Sequence, residues 1–143
     1  MRRWALPSRS RRGASAVEFA VIAPVLFLLL GGIIEFGQVF RIQHALTTAT
    51  RRGARVAVVE GASNSAVTQK IQGNCANTLG ISSSDVTVDI YINGVKNAAL
   101  SQASKGAEVR VTVQIPYSKC GVSFVAALFS NTTLKATCIF ERE

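Results

Sequence analysis

Few residues in this chain of 143 amino acids are of types that carry chemistry, and the most unusual of them is an acid at the edge of an apolar run. Glu18 is followed by sixteen uncharged residues, from Phe19 to Ile34. An ionised carboxylate is costly in apolar surroundings, so Glu18 needs either a partner or a boundary position. Two interpretations stay open: it complements the positive end of a helix dipole, or it neutralises a specific cation.

Three cysteines and one histidine are the other candidates for reactive or ligand groups. Because the number of cysteines is odd, at least one has no partner within the chain. A disulfide between Cys75 and Cys138 is one expectation for an exported domain, with Cys120 as an alternative partner, and small buried core residues are the other interpretation. His44 has no second histidine or acid at helical spacing, so the sequence predicts no metal site.

Motifs of catalysis are missing from the sequence. It contains no nucleophile elbow, no phosphate loop and no paired histidines at helical spacing. We therefore expect a protein that is not an enzyme, that needs no cofactor and that has no evident small-molecule substrate.

The apolar run belongs to a predicted helix that is long enough to cross a membrane. Between Glu18 and Arg41 lie 22 residues, of which only Glu35 is charged. At ~1.5 Å per residue they span about 33 Å, enough to cross a bilayer core. We predict a transmembrane segment over about residues 16–40, kinked at Pro24, with Glu35 near its outer end and in reach of interfacial water.

The positive charge of the chain is concentrated before this helix. Lys and Arg number 16 against 8 acids, and five arginines lie within the first twelve residues. A basic leader before an apolar span keeps the N-terminus in the cytoplasm and sends the rest of the chain across the membrane. The basic balance is therefore interpreted as a targeting signal, and no nucleic-acid partner is predicted.

Helical periodicity continues past the span, so one long helix is predicted over residues 14–60. A stripe of small and apolar residues on one side is expected to pack against other helices; it consists of Ile42, Leu46, Ala49, Gly53 and Val56. The opposite face is basic and polar, and it consists of Arg41, His44, Thr48, Arg51 and Arg55. A solvated face is one interpretation of it, and a contact with lipid phosphates or an acidic partner is the other.

Residues 61–143 are predicted to form a small α+β domain. A second helix over residues 66–79 carries an apolar stripe, and Gly80 is a suitable stop. Residues 86–92, 108–115 and 134–141 alternate apolar and polar side chains, which is typical of antiparallel strands with one buried face. The predicted fold class is therefore α+β: a long N-terminal transmembrane helix with an extension, then one helix packed on a three-stranded antiparallel sheet.

Two connections in this domain are also notable. Asn93-Gly94 is a turn signal, and residues 95–107 after it are interpreted as a polar linker of weak structure. Residues 117–130 form a predicted loop with an apolar patch that includes Phe124 and Phe129.

The N-terminal residues resemble known export and assembly signals. The string Arg11-Arg12-Gly13-Ala14-Ser15-Ala16-Val17-Glu18-Phe19 resembles the class III signal of type IV pilins and pseudopilins. The longer stretch from Gly13 to Arg55 resembles the TadE-like family of the tight-adherence (Flp) pilus machinery. The matching pieces are Gly13–Ala20, Pro24–Leu26, Ile34–Gly37, and Ala45–Thr47 leading to Arg51–Arg55.

The resemblance implies a processing site and a role for Glu18. Prepilin peptidase would cut between Gly13 and Ala14, which would leave residues 1–13 as a leader and free an ammonium group on Ala14. In pilin-like filaments the equivalent acid neutralises the amine of a neighbouring subunit. Glu18 and Ala14 are therefore expected to pair between subunits, so that neither charge is buried alone.

The resemblance also implies a biological setting. The chain would be a minor pilin or pseudopilin of the bacterial inner membrane, single-pass, with a cytoplasmic N-terminus and a periplasmic domain. Its partners would be the membrane, prepilin peptidase and other pilin-type subunits, and it would enter the pilus or stay in the membrane platform. The alternative is a signal-anchored periplasmic module outside any filament, which would bind a ligand or protein through its sheet or its Phe124–Phe129 loop.

Overall fold

One continuous helix dominates the structure, a computed structural model that describes residues 11–120 and 131–142. This helix, α1 (Arg11–Val58), has 48 residues and continues through Pro24. At ~1.5 Å per residue it is about 72 Å long. It confirms the predicted long apolar N-terminal helix. Most of the predicted leader and the Phe124–Phe129 loop lie outside the described residues.

A second helix, α2 (Asn64–Leu79), follows α1 after a short turn. The side chain of Ser63 caps its N-terminus by accepting a hydrogen bond from the backbone N–H of Ala66 at 3.2 Å. Gly80 ends it with a φ of 70°, a left-handed conformation that glycine adopts without strain. The predicted helix and its stop are therefore confirmed.

A four-stranded antiparallel sheet completes the fold. Its strands are β1 (Thr87–Ile92), β2 (Val95–Lys96), β3 (Glu108–Pro116) and β4 (Thr133–Glu141), in the spatial order β2-β1-β3-β4. The α+β class is confirmed, but the prediction of three strands is wrong. Asn93 and Gly94 have φ values of 49° and 82°, and this tight turn lets the two residues of β2 pair back on Tyr91 and Ile92. A two-residue strand is too short to show an alternating pattern.

The segment between β2 and β3 is also better fixed than its polar composition suggests. Leu100 lies fully buried in a single 3₁₀ turn, Leu100–Gln102. The side chain of Asn64 donates to the carbonyl of Ala98 and accepts from the backbone N–H of Leu100, both at 2.9 Å. One apolar anchor and one bidentate amide therefore hold the segment against the start of α2.

The core lies between one face of the sheet and the two helices. The apolar positions of β3 are completely buried; they are Val109, Val111, Val113 and Ile115. The opposite face of the sheet is polar, with Asp89 paired to Lys96 at 2.9 Å and the hydroxyls of Thr112 and Thr137 3.1 Å apart. The period of two in the sequence therefore gives the two faces correctly.

A close contact between α1 and α2 involves a glycine. A Cβ atom at Gly53 would overlap the Cγ1 and Cδ1 atoms of Ile71, which is itself fully buried. Gly53 therefore allows the two helix backbones to approach each other.

Replacing this glycine should weaken the domain. We expect Gly53→Ala to destabilise it by about 1–3 kcal/mol, because the added methyl group overpacks a filled core. The measurement is urea unfolding of the full chain in detergent micelles, followed by near-ultraviolet circular dichroism. Gly73→Ala in α2 is the control, since nothing lies within 4 Å of its Cβ position, and it should be neutral or stabilising. Equal effects of both variants would contradict this account of the helix contact.

Candidate functional site: the exposed half of the long helix and its junction with the domain

The N-terminal half of α1 is an apolar helix that the domain does not cover. Gly13–Val58 is long and apolar enough to cross a membrane, and its most apolar window is not buried by the rest of the protein. Large apolar side chains are exposed on all its sides; they are Val17, Phe19, Val21, Ile22, Val25, Leu26, Phe27, Leu28, Leu29, Leu30, Ile33, Ile34, Phe36 and Phe40. A helix with apolar surface all round requires lipid or other apolar partners to cover it.

The predicted processing residues lie at the free end of this helix. Gly13, Ala14 and Glu18 are all exposed, and no atom lies within 4 Å of the Cβ position at Gly13. Ala14 and Glu18 are one turn apart on the same face of α1, since residues four apart in a helix are neighbours. Gly13 and Ala14 are therefore exposed with respect to the described residues, while cleavage between them and the pairing of Glu18 stay predictions.

The stripe that was expected to pack against other helices packs mainly against the chain's own domain. Ile42, Leu46, Ala49 and Gly53 are buried within the chain's own core, whereas Val56 is exposed. They are covered by α2 and the sheet of the same chain because the domain folds back onto this half of α1. These four residues are therefore not available to another subunit, and the helix they pack against is α2.

A buried hydrogen bond joins the two halves of the molecule. The hydroxyl of Tyr117, in the short helix α3 (Tyr117–Cys120), donates to Oε1 of Glu35 on α1. The exposed fraction is 5% for Glu35 and 1% for Tyr117. The prediction that Glu35 reaches interfacial water is therefore wrong in this structure, since the domain covers it and supplies its partner. Sequence reasoning missed Tyr117, whose only local signal is its place directly after the strand-ending Pro116.

An apolar groove lies beside this bond, between the C-terminal end of the exposed half of α1 and the sheet. Gly32, Phe36 and Val39 line it from α1, and Thr132 and Leu134 line it from the segment that begins β4. Gln43 on the next turn of α1 donates to the carbonyl of Lys135 at 2.9 Å. Two hydrogen bonds therefore connect the domain to this part of α1: the buried one from Tyr117 to Glu35, and the one from Gln43 to the edge strand β4.

The cysteines are all free thiols in this structure, so neither predicted disulfide is formed. Cys75 is buried on α2, and Cys138 on β4 lies opposite Val111 of β3. Burial, together with the neighbouring Cys120, raises the pKa of Cys75 to about 11. Burial and Asp85 raise the pKa of Cys120, against a smaller lowering by Arg41. Both thiols are therefore even less ionised near neutral pH than an exposed cysteine.

Comparison with known proteins confirms the resemblance for the long helix. The family model described as TadE-like protein matches residues 13–55. The match contains the predicted processing site, the exposed half of α1 and most of its buried half, and it ends before α2 and the sheet. Comparisons with curated proteins and with solved structures give no match.

The hydrogen bond between Tyr117 and Glu35 should stabilise the junction. We expect Tyr117→Phe to cost about 1–3 kcal/mol of unfolding free energy, because a buried carboxylate loses its donor. The same substitution should cost less than about 1 kcal/mol in a Glu35→Leu background, where no acceptor remains to be satisfied. Urea unfolding in micelles measures both, with Tyr91→Phe on the polar sheet face as the control. Equal costs in the two backgrounds would show that the bond contributes nothing.

The buried thiol gives a second prediction. Near pH 8 a pKa of about 11 in place of 9.0 lowers the thiolate fraction about a hundredfold. We expect iodoacetamide to label Cys75 in the native protein at least about a hundredfold more slowly than in urea, with labelling accelerating as the pH rises towards 11. Peptide mass spectrometry after timed quenching measures the rates. In urea without reductant all three cysteines should react, and labelling of only one would reveal a disulfide instead.

Proposed function

Because residues 13–55 match the TadE-like family, we propose that this protein is a minor pilin or pseudopilin that takes part in assembling a tight-adherence (Flp) pilus. The observation that carries the proposal is the exposed apolar half of α1, which coincides with the N-terminal part of the match. Such a surface is stable in a bilayer or among other apolar helices, and a pilus assembly system offers both. The role is structural, without enzymatic activity.

The charge pattern supports one orientation in the membrane. Five arginines within the first twelve residues precede the apolar half, and the α+β domain follows it. By the positive-inside rule, the leader lies in the cytoplasm and the domain in the periplasm of a bacterial inner membrane. The protein is then a single-pass membrane protein whose domain stands on the outer face.

The burial pattern limits where other pilin-type subunits can bind. Residues 42–53 of the stripe are covered by the chain's own core, so contacts between subunit helices fall on residues 14–40. Helix association in lipid relies on close packing and on polar pairs, since there is no hydrophobic gain. Glu35 is bonded to Tyr117, which leaves Glu18 as the acid on this half that is exposed for pairing with the Ala14 amine of a neighbour.

One feature favours a second candidate function, a signal-anchored periplasmic binding module outside any filament. The polar face of the sheet forms a shallow cleft, lined by Tyr91, Arg110, Gln114 and Lys135 among others. The Nε atom of Arg110 is buried there without a hydrogen-bond partner. A polar ligand on this face would satisfy it, and an uncut N-terminus would favour this function over the first.

Processing and pairing can be tested together in cells that carry the pilus system. N-terminal sequencing of the membrane-extracted protein should give Ala14 as the first residue, and Met1 when prepilin peptidase is absent. We expect Glu18→Gln to be processed but to lose at least about tenfold of its co-isolation with other pilin-type subunits after crosslinking, because the Ala14 amine then lacks its counter-ion. Glu60→Gln, an exposed acid beyond α1, removes the same charge and should behave as the wild type.

Two outcomes would contradict the proposal. Mature protein that begins at Met1 in the presence of the peptidase would exclude the pilin-type pathway. Normal co-isolation of Glu18→Gln would exclude the pairing of charges between subunits.

A further inference from the structure

A polar cleft lies between the domain-bound half of α1 and α2, outside the core. Its cavity is about 290 Å³. The polar side chains that line it are Arg41, His44, Thr48 and Arg52 from α1, and Asn74 and Thr78 from α2. The four residues of α1 recur every three or four positions, so they share one face of the helix, and the two residues of α2 do the same. The Gly53–Ile71 contact brings these two faces together.

The cleft is rich in hydrogen-bond donors and has no acid in its lining. Each guanidinium group is donor-only and always charged, and its planar fork fits the oxygens of an anion. In the part of the chain that the structure describes, the cations in ion pairs are Lys96, Arg110 and Lys119. Arg41 and Arg52 line the cleft, and among the described residues neither forms an ion pair.

A buried amide gives independent support. The Nδ2 atom of Asn74 is buried and has no hydrogen-bond partner. Buried polar atoms without partners are rare because each one costs free energy, so an acceptor at this position is expected. Asn74 is also among the residues that line the cleft, so an acceptor bound there would lie beside its side chain.

We propose that this cleft binds a phosphate group. A phosphate presents several acceptor oxygens around one centre, which suits two guanidinium forks, the Asn74 amide and the hydroxyls of Thr48 and Thr78. The same chemistry is offered by free phosphate and by the headgroup of an anionic phospholipid.

The near end of the cleft, at Arg41 and His44, favours the headgroup as the source. Phe40 is the last large apolar side chain of the exposed half, and Arg41 follows it directly. His44 lies about 4.5 Å beyond Arg41 along the axis, within a headgroup layer about 5–8 Å thick. Arg52 lies about 18 Å beyond Phe40, so it forms the far end of the cleft, outside that layer. This step rests on the membrane span of the proposed function, whereas phosphate binding itself does not.

The single histidine of the chain is a convenient reporter, because His44 lines the cleft. The full chain, labelled with ¹³C-histidine in micelles of an uncharged detergent, is titrated with inorganic phosphate at constant ionic strength against chloride. We expect a saturable shift of the one imidazole resonance. The same resonance is compared in nanodiscs of pure phosphatidylcholine and in nanodiscs that also contain phosphatidylglycerol.

Two matched pairs of variants test the site. Asn74→Asp should weaken binding at least about tenfold, since it places a carboxylate against the anion, while Asn77→Asp adds the same charge on an exposed face of α2 and should change affinity less than about twofold. Arg52→Gln should likewise weaken binding about tenfold, and Lys70→Gln, an equal loss of charge at an exposed position of α2 outside the cleft lining, should not. Circular dichroism of each variant verifies its fold.

The possible results distinguish free phosphate from a lipid headgroup as the ligand, and they can also refute the phosphate site. A cleft-dependent response to inorganic phosphate supports the site for free phosphate, and one that appears only with phosphatidylglycerol supports the lipid headgroup. No saturable shift with either probe, or equal weakening by cleft and control variants, overturns the proposal. Because the titration in micelles needs neither processing nor assembly, its result is independent of whether the protein is a pilin.

Discussion

The structure depends on one constraint: a single helix must satisfy two different surroundings. In α1 the large apolar side chains from Val17 to Phe40 are exposed apart from the half-buried Val39, whereas Ile42 and Leu46 are completely buried by the domain. The change takes place within one turn. An uncovered apolar helix needs lipid or partner helices, and a buried stripe needs a folded domain, so neither half of α1 is stable in the surroundings of the other.

The junction between the halves is therefore where the molecule carries its polar chemistry. Glu35 is an acid on the apolar side, and the domain supplies the hydroxyl of Tyr117 to satisfy it. Just beyond, Arg41 begins the basic face that lines the cleft with α2. In the proposed membrane orientation this level of the helix would meet water and lipid headgroups, where charged side chains can be solvated.

The elements that depend on local patterns could be predicted from the sequence. The apolar run predicts α1, the alternation around Val111 predicts the central strand, and Gly80 predicts the end of α2.

Other features depend on tertiary contacts without a local signature. Tyr117 forms a hydrogen bond with a residue 82 positions away, and β2 is only two residues long. The apolar stripe around Leu46 predicts a packing surface but not its partner, because an amphipathic pattern does not identify what covers it. Of the candidate site, Gly13 and Glu18 came from a motif, and the phosphate cleft required the structure.

The most direct test of this account is the depth of α1 in a bilayer. Phe27→Trp and Phe40→Trp, each in a Trp4→Phe background, can be reconstituted in vesicles whose lipids carry bromine at different acyl positions. The account predicts that deep bromines quench the tryptophan at position 27 most strongly, and that shallow bromines quench the one at position 40, about 20 Å away along the helix. Quenching of the tryptophan at position 27 by aqueous iodide, with no effect of brominated lipid, would contradict it.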